Sequence, residues 1–281
     1  MLDLGICATK LEVAGIPHGI DRAEAIDPGK VAIRLANGGG FVKLALHPYA
    51  ATLLQREVTA YAAAAPCPPF RRPALLGCHD GGDWGALWLT LEEGRVPARR
   101  SALVPRSGPY ESVPTTLLPV EAILAHPLPP RFEAHRLRLL ERFAGEPIRC
   151  GPIHGDFVYW NLLTDNGRPT LVDYEHFEKC APASHDRFQW TVLPLLRRAS
   201  AWGRATSSLA ALAAAPLAYG LAPPKTAWPV LELALFLIRF GARIEAERTS
   251  PIVAELYAFP TRRGQERLVK LIDHVLGGLL G

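Results

Sequence analysis

The chain has 281 residues, 49% of them hydrophobic and 21% charged, with a formal net charge of +4. This balance excludes a disordered chain, and the length allows one large domain or two modest ones. The small positive charge is carried by dispersed arginines with no basic run among aromatics, so nucleic acid is not an expected partner.

At the N-terminus, MLDLGICATKLEVAG places an acid at Asp3 and no cationic segment before a long apolar one, so no secretory signal is expected. Residues 31–46, VAIRLANGGGFVKLAL, hold two β-type runs around Asn37-Gly38-Gly39-Gly40, a hairpin signal because glycine accepts positive φ. Lys43 then falls inside the second strand. His47-Pro48 opens a helical pattern from Tyr49 to about Ala65, proline being suited to a first helical turn. Leu53, Leu54, Glu57, Ala60 and Tyr61 share one of its faces, which puts the Glu57 carboxylate on the side that meets the sheet.

A second hairpin follows, with ALLGCHD and WGALWLTLEE joined by Gly81-Gly82-Asp83, and the chain leaves the sheet through Glu92-Glu93-Gly94-Arg95. Residues 1–94 thus read as an antiparallel sheet carrying one main helix, and residues 95–281 as a second, mainly helical part with the HGD and LVDYE segments packed into it. In that part, 95–130 is a loop-rich insertion with one short helix near Val120. Helices are expected over RFEAHRLRLLERFAG from Arg131 and over 186–203, 205–219, 225–248 and 262–280. The most apolar stretch, PVLELALFLIRF from Pro229, is interrupted by Glu232 and Arg239 and is too short to span a bilayer. Cys7, Cys67, Cys78, Cys150 and Cys180 are odd in number and form no CxxC pair. They read as buried thiols of a cytoplasmic protein without structural zinc.

Four positions need a joint explanation: Lys43 in a strand, Glu57 inside a helix, Asp156 with Asn161 in HGDFVYWN, and Asp173 in LVDYE. An Asp followed five residues later by an Asn, then by a further Asp after a hairpin turning at Asp165-Asn166-Gly167, is the spacing of a kinase-type phosphoryl-transfer site. Two carboxylates about 4 Å apart repel by about 4 kcal/mol at an effective dielectric near roughly 20. Magnesium, which takes carboxylate, amide and phosphate oxygens together, relieves that repulsion.

HGDFVYWN followed by LVDYE resembles the aminoglycoside phosphotransferase and choline kinase superfamily, with its H-G-D-x-x-x-x-N and I/V-D-x-E segments. SHDRFQW is similar to the stretch in which a further Asp, here Asp186, opens a helix. The resemblance implies an α+β, protein-kinase-like bilobal fold: a small antiparallel-sheet N-lobe with one main helix, and a larger mainly helical C-lobe. It implies an ATP-dependent (or GTP-dependent) transfer of the γ-phosphate to a hydroxyl of a small molecule, with Mg2+. Asp156 would accept the hydroxyl proton, His154 would support its loop, and Asn161 and Asp173 would hold magnesium. Glu175 would reach a second metal or the loop. Lys43 would bind the α and β phosphates, directed by Glu57. The main chain at Leu91, Glu92 and Glu93 would meet the purine edge, and Asp186 would brace the catalytic loop.

Two departures stand out. No glycine-rich turn lies between the first two strands, and the covering loop is expected near Pro17-His18-Gly19 or Asp27-Pro28-Gly29. DYE replaces the DFG of protein kinases and leaves no room for an activation segment before Asp186. For the acceptor, Arg95, Arg99, Arg100, Arg106, Arg197, Arg198 and Arg204 favour a neutral or anionic compound, such as a sugar, a nucleoside-like metabolite or a natural product, over a polycation. The alternatives are an antibiotic-inactivating kinase of the same fold, a pseudokinase that only binds nucleotide, and a metal hydrolase using His154, Asp156, His176 and His185. The last lacks a paired i,i+4 histidine motif. A monomer or homodimer is expected.

Overall fold

A computed structural model describes residues 3–17, 19–27, 29–63, 66, 68–92, 94–96, 108–110, 113–165, 167–202, 228–250 and 259–281. The chain groups into two compact units, Met1–Pro109 with His154–Lys179, and Tyr110–Ile153 with Cys180–Gly281. A single boundary near residue 94 assigns the HGD and LVDYE segments to the second body. By their contacts they group with the first.

The first unit is built on an antiparallel sheet of β1 (Ile20–Asp27), β2 (Lys30–Leu35), β3 (Phe41–Ala45), β4 (Leu75–Asp80) and β5 (Gly85–Leu89), in the order β1-β2-β3-β5-β4. Both expected hairpins form. Between β2 and β3 the chain turns with Asn37 at φ 55° and Gly38 at φ 71°, left-handed values that asparagine and glycine tolerate. Strand β1 was not anticipated, nor was helix α1 (Leu4–Val13), whose N-cap is the Asp3 carboxylate, accepting from the N–H groups of Gly5 at 2.8 Å and Ile6 at 3.2 Å.

Strand alternation decides where the chemistry goes. Val31, Ile33 and Leu35 of β2 and Val42 and Leu44 of β3 form one buried cluster with Cys7 and Leu11 of α1. Successive strand side chains point to opposite faces, so Lys43, between Val42 and Leu44, points the other way, toward helix α2 (Pro48–Ala62). That helix begins at Pro48, with His47 Nδ1 accepting from the Tyr49 N–H at 3.1 Å. Its last turn is held by Arg72, which donates to the carbonyls of Ala60 at 2.7 Å and Tyr61 at 3.1 Å. Leu53, Leu54, Glu57, Ala60 and Tyr61 are all buried, as the helical pattern requires.

The same unit contains the hairpin of strands Leu162–Asp165 and Arg168–Leu171. The main chain of Arg71 donates to Pro169 O at 2.9 Å and accepts from the Leu171 N–H at 2.8 Å. Arg95 and Thr164 exchange two main-chain hydrogen bonds, of 3.1 and 2.9 Å. These ladders along the connecting segments account for the membership of 154–179 in the first unit.

The second unit has a three-stranded sheet of Thr116–Pro119, Pro147–Ile153 and Glu178–Pro182, with Pro147–Ile153 central; sequence periodicity gave no sign of it. Its described helices are α3 (Val120–Ile123), α4 (Pro130–Phe143), α5 (His185–Thr191), α6 (Leu193–Trp202), α7 (Trp228–Thr249) and α8 (Phe259–Leu280). The helix expected over 186–203 is thus two helices, and the one expected over 205–219 lies outside the described residues. Phe132, His135, Leu139 and Phe143 form the buried stripe of α4. A Cβ at Gly241 of α7 would come within 2.5 Å of the Phe132 ring, so the two helices pack at a distance only glycine allows.

Among the described residues no helix is long and apolar enough to cross a membrane. Cys7 and Cys150 are buried, but Cys78 and Cys180 are exposed, contrary to expectation. Both lie on edge strands, where no second layer covers them. Cys67 lies outside the described residues.

Candidate active site

Lys43 Nζ is the centre of a charged cluster. It donates to both oxygens of Glu57, at 3.0 and 2.9 Å, and to Asp173 Oδ1 at 2.6 Å. The three side chains come from β3, from α2 and from the segment after the Arg168–Leu171 strand, yet converge on one ammonium. Glu57 also accepts from the main-chain N–H of Tyr174 at 3.3 Å, so one buried carboxylate fixes both the lysine and the chain at Asp173. Asp173 is held at φ 69°, a left-handed conformation for a non-glycine residue and a mark of local strain where the surroundings determine the backbone.

The charges are consistent with this geometry. Burial opposes an ammonium at Lys43, but the carboxylates of Asp173 and Glu57 outweigh it and raise its pKa. Burial would likewise raise Asp173, but Lys43 draws it down to about 2. Burial pushes the Glu57 carboxyl up, against the pull of Lys43. For Glu175 burial, with the charge of Asp173, raises the carboxyl to about 7.

Residues 154–161 form a tight loop. Asn161 Nδ2 donates to the carbonyl of Asp156 and to Asp156 Oδ2, each at 2.9 Å. His154 is fully buried, and burial lowers its pKa to about 4, so it is neutral near pH 7. Its contacts fix the tautomer: the Val172 carbonyl, at 3.1 Å from Nε2, can only accept, so Nε2 carries the proton. Nδ1 then accepts from the Asp156 N–H at 3.3 Å. One ring nitrogen thus holds the loop and the other ties it to Val172. Gly155 turns at φ 77°, and a Cβ there would lie 1.9 Å from the carbonyl oxygen of His176.

These groups line one end of a cavity of about 430 Å³ within the first unit. Lys30, Lys43, Glu57, Asn161, Asp173 and Glu175 make its charged end, where Lys43 joins Glu57 to Asp173 and Lys30 pairs with Glu175, and Ile26, Phe41, Leu89, Leu163 and Val172 add apolar wall. Leu91 and Glu92 also line it, and among the described residues their main-chain N–H and C=O groups have no hydrogen-bond partner. Glu93 lies outside the described residues.

Of the sequence-predicted residues, Lys43, Glu57, Asn161, Asp173, Glu175, Leu91 and Glu92 therefore meet at one cavity, with Asp156 and His154 joined to it through Asn161 and Val172. Asp186 is in the second unit, buried in the first turn of α5. One residue was missed. Lys30, the first residue of β2, is buried at the charged end and forms an ion pair with Glu175. Its signal was available: Val31, Ile33 and Leu35 claim one face of β2, which leaves Lys30 on the face that carries Lys43.

A divalent cation fits the donors present. Asn161 Oδ1 and the second oxygen of Asp173 accept no protein hydrogen bond among the described residues, and both are the hard oxygen donors magnesium takes. No three His, Cys, Asp or Glu side chains of the described residues gather to hold a metal by themselves. A magnesium ion here would need oxygens from a ligand or water to complete its shell, its usual habit with phosphates.

No protein-family model matches the chain, and no curated protein does. Solved structures do. Aminoglycoside phosphotransferase APH(4)-Ia is 13% identical, with a TM-score of 0.53, over 96% of this chain and 98% of that one. The chain has the aminoglycoside phosphotransferase fold. A GDP and kanamycin complex of the phosphotransferase APH(2")-IIia shows the same likeness, 10% identical with a TM-score of 0.52, over 98% and 99% of the two chains. So does a thermostable APH(4)-Ia variant in a complex with ADP and hygromycin B, 12% identical with a TM-score of 0.50 over 94% and 96%. The protein-kinase-like α+β class expected from the sequence is thereby shown.

Proposed function

We propose that the protein is a small-molecule O-phosphotransferase that uses a nucleoside triphosphate and Mg2+. The observation that carries this reading is Lys43, held between Glu57 and Asp173 at 2.6 to 3.0 Å in a cavity that also has apolar wall. A flat base fits the apolar wall, with the free main-chain groups of Leu91 and Glu92 to meet its edge, and the phosphates reach the lysine. ATP or GTP would satisfy this arrangement.

Phosphoryl transfer asks for positioning and charge neutralisation more than for covalent chemistry. Lys43 supplies fixed positive charge, and Glu57 keeps its ammonium directed. When bound, magnesium would neutralise phosphate charge, held by Asn161 and Asp173. Asp156 accepts the proton of the acceptor hydroxyl as the bond to phosphorus forms, its carboxylate oriented by the Asn161 amide. His154, neutral and bonded on both nitrogens, shapes the loop and moves no proton. Bracing by Asp186 is carried by the resemblance alone.

For the acceptor we infer a neutral or anionic hydroxyl compound. Exposed Arg95 and Arg197 support this; Arg99, Arg100, Arg106 and Arg204 lie outside the described residues. The competing acceptor is an aminoglycoside, since the two antibiotics named in the neighbours' complexes are hygromycin B and kanamycin. The test is incubation with γ-labelled ATP, magnesium and either a cell extract or an aminoglycoside panel. A metabolite that gains one phosphate supports the reading. Magnesium-dependent nucleotide binding with no transfer to any acceptor would leave a pseudokinase.

A further inference from the structure

The phosphotransferase reading asks what holds the phosphates beside β1 and β2; of the two stretches expected to cover them, Pro17-His18-Gly19 and Asp27-Pro28-Gly29, His18 and Pro28 lie outside the described residues. Asp27 pairs directly with Lys30, so the connection between the first two strands is only Pro28-Gly29. Proline has no N–H, and the pairing engages the residues on either side. A two-residue connection containing a proline is too short to offer the run of main-chain N–H groups that a glycine-rich loop presents to phosphate. Gly29 is also pinned. Gly29 O accepts from the Leu46 N–H at 2.7 Å, and a Cβ at Gly29 would lie 2.7 Å from His47 Cβ.

The next residue is a lysine. Lys30 shares the inner face of the sheet with Lys43, because Ala32 pairs with Lys43 and Lys30 with Ala45. Its side chain is 10% exposed and that of its partner Glu175 is 18% exposed, and both line the charged end of the cavity. An ammonium this buried needs a counter-charge when the cavity holds no anion. Glu175, two residues beyond Asp173, provides it.

We propose that Lys30 is a second phosphate-binding lysine that does work a glycine-rich covering loop would do, and that Glu175 is its resting counter-ion, exchanged for phosphate oxygen when nucleotide binds. This rests on the nucleotide reading of the cavity. Lys30 touches the donor nucleotide, whereas Glu175 sets how readily it does so. Exchange preserves the lysine's neutralisation in both states, and the freed carboxylate is left beside the metal-binding segment.

The test is calorimetric titration of the whole chain with AMP-PNP, ADP and adenosine, using the wild type, Lys30→Met, Lys30→Arg and Glu175→Gln. Lys30→Met is expected to weaken AMP-PNP and ADP at least about tenfold while leaving adenosine within about twofold, and Lys30→Arg to recover most of the loss. Glu175→Gln, titrated with AMP-PNP in chelator so that no metal contributes, is expected to bind several-fold more tightly than wild type, because no ion pair has to open. A merely structural lysine would give no such gain. A Lys30→Met variant that melts like the wild type and binds AMP-PNP equally well overturns the proposal. If Lys30→Met does not fold, the chelator experiment decides: unchanged or weaker binding by Glu175→Gln also overturns it. A folded wild type that binds none of the three ligands removes the nucleotide reading itself, an outcome distinct from either.

Discussion

Asn161 and Asp156 are locked together by two hydrogen bonds from one amide nitrogen, to the main-chain carbonyl and to the side-chain carboxylate of Asp156, both 2.9 Å long. The five-residue spacing in HGDFVYWN is what lets a short loop close on itself in this way, and Asn161, so held, lines the cavity.

Asp156→Asn removes the proton acceptor and keeps the shape of the loop. Phosphate transfer is expected to fall by about 10³-fold or more, within the usual range for a general base, while AMP-PNP binds within a few-fold of wild type. Parallel measurement of transfer rate and nucleotide titration checks this. Turnover at the wild-type rate would remove Asp156 from the mechanism.

Lys43→Met leaves two carboxylates, Glu57 and Asp173, facing one another with their shared cation gone. Breaking a buried pair from one side costs about 3–5 kcal/mol, because an uncompensated charge stays behind. Adding Glu57→Gln removes one of those charges, so the double variant is expected to be more stable than Lys43→Met alone. Urea unfolding of the four corners of the cycle measures the coupling. If Lys43→Met is as stable as wild type, the ammonium is not what holds the cluster together.

How much of this was legible in the sequence follows from which signals are local. Turn chemistry at Asn37-Gly38 and Gly81-Gly82, and the helical period that put Glu57 on a buried face, are written in neighbouring residues, and both hairpins and α2 appear where expected. The motif spacing pointed to Lys43, Asp156, Asn161 and Asp173. What stayed hidden was held by partners far along the chain. The strand Glu178–Pro182 exists because Pro147–Ile153 pairs with it, and α1 has little amphipathic contrast of its own yet is ordered by the sheet face over Cys7 and Leu11. For Lys30 the strand alternation gave its face, but its pairing with Glu175, 145 residues away, was not legible.

Gly155→Ala and Gly167→Ala make a controlled comparison. Both glycines have nearly the same left-handed φ, 77° and 76°, but a Cβ at Gly155 would meet the His176 carbonyl oxygen at 1.9 Å, whereas at Gly167 nothing lies within 4 Å. The shared conformational penalty is about 1 kcal/mol. Gly167→Ala should lose about that much, and Gly155→Ala several times more, with transfer activity falling because the Asp156 loop must shift. Equal thermal shifts in the two variants would mean that the close approach at Gly155 is relaxed in solution.

His154 gives the fold a defined response to acid. Its folded pKa is about 4, below the unfolded value near 6.5, so between those values the unfolded chain binds the extra proton. The stabilisation from keeping the ring neutral is fully present above about pH 6.5 and is lost as pH falls from there toward 4, reaching about 3 kcal/mol at most. Glu175 works in the opposite direction over much of this range, since a carboxyl raised to about 7 destabilises the fold as pH rises through it. The wild-type profile alone therefore mixes the two, and a difference is needed. His154→Gln keeps a group able to donate to Val172 O while removing the titration. The stability gap between wild type and His154→Gln, read from urea unfolding at steps between pH 7 and 4.5, is expected to narrow steadily as the solution is acidified. A gap that stays constant across the window would show that the ring is not held neutral, and with it would go the assignment of Nε2 as the donor to Val172.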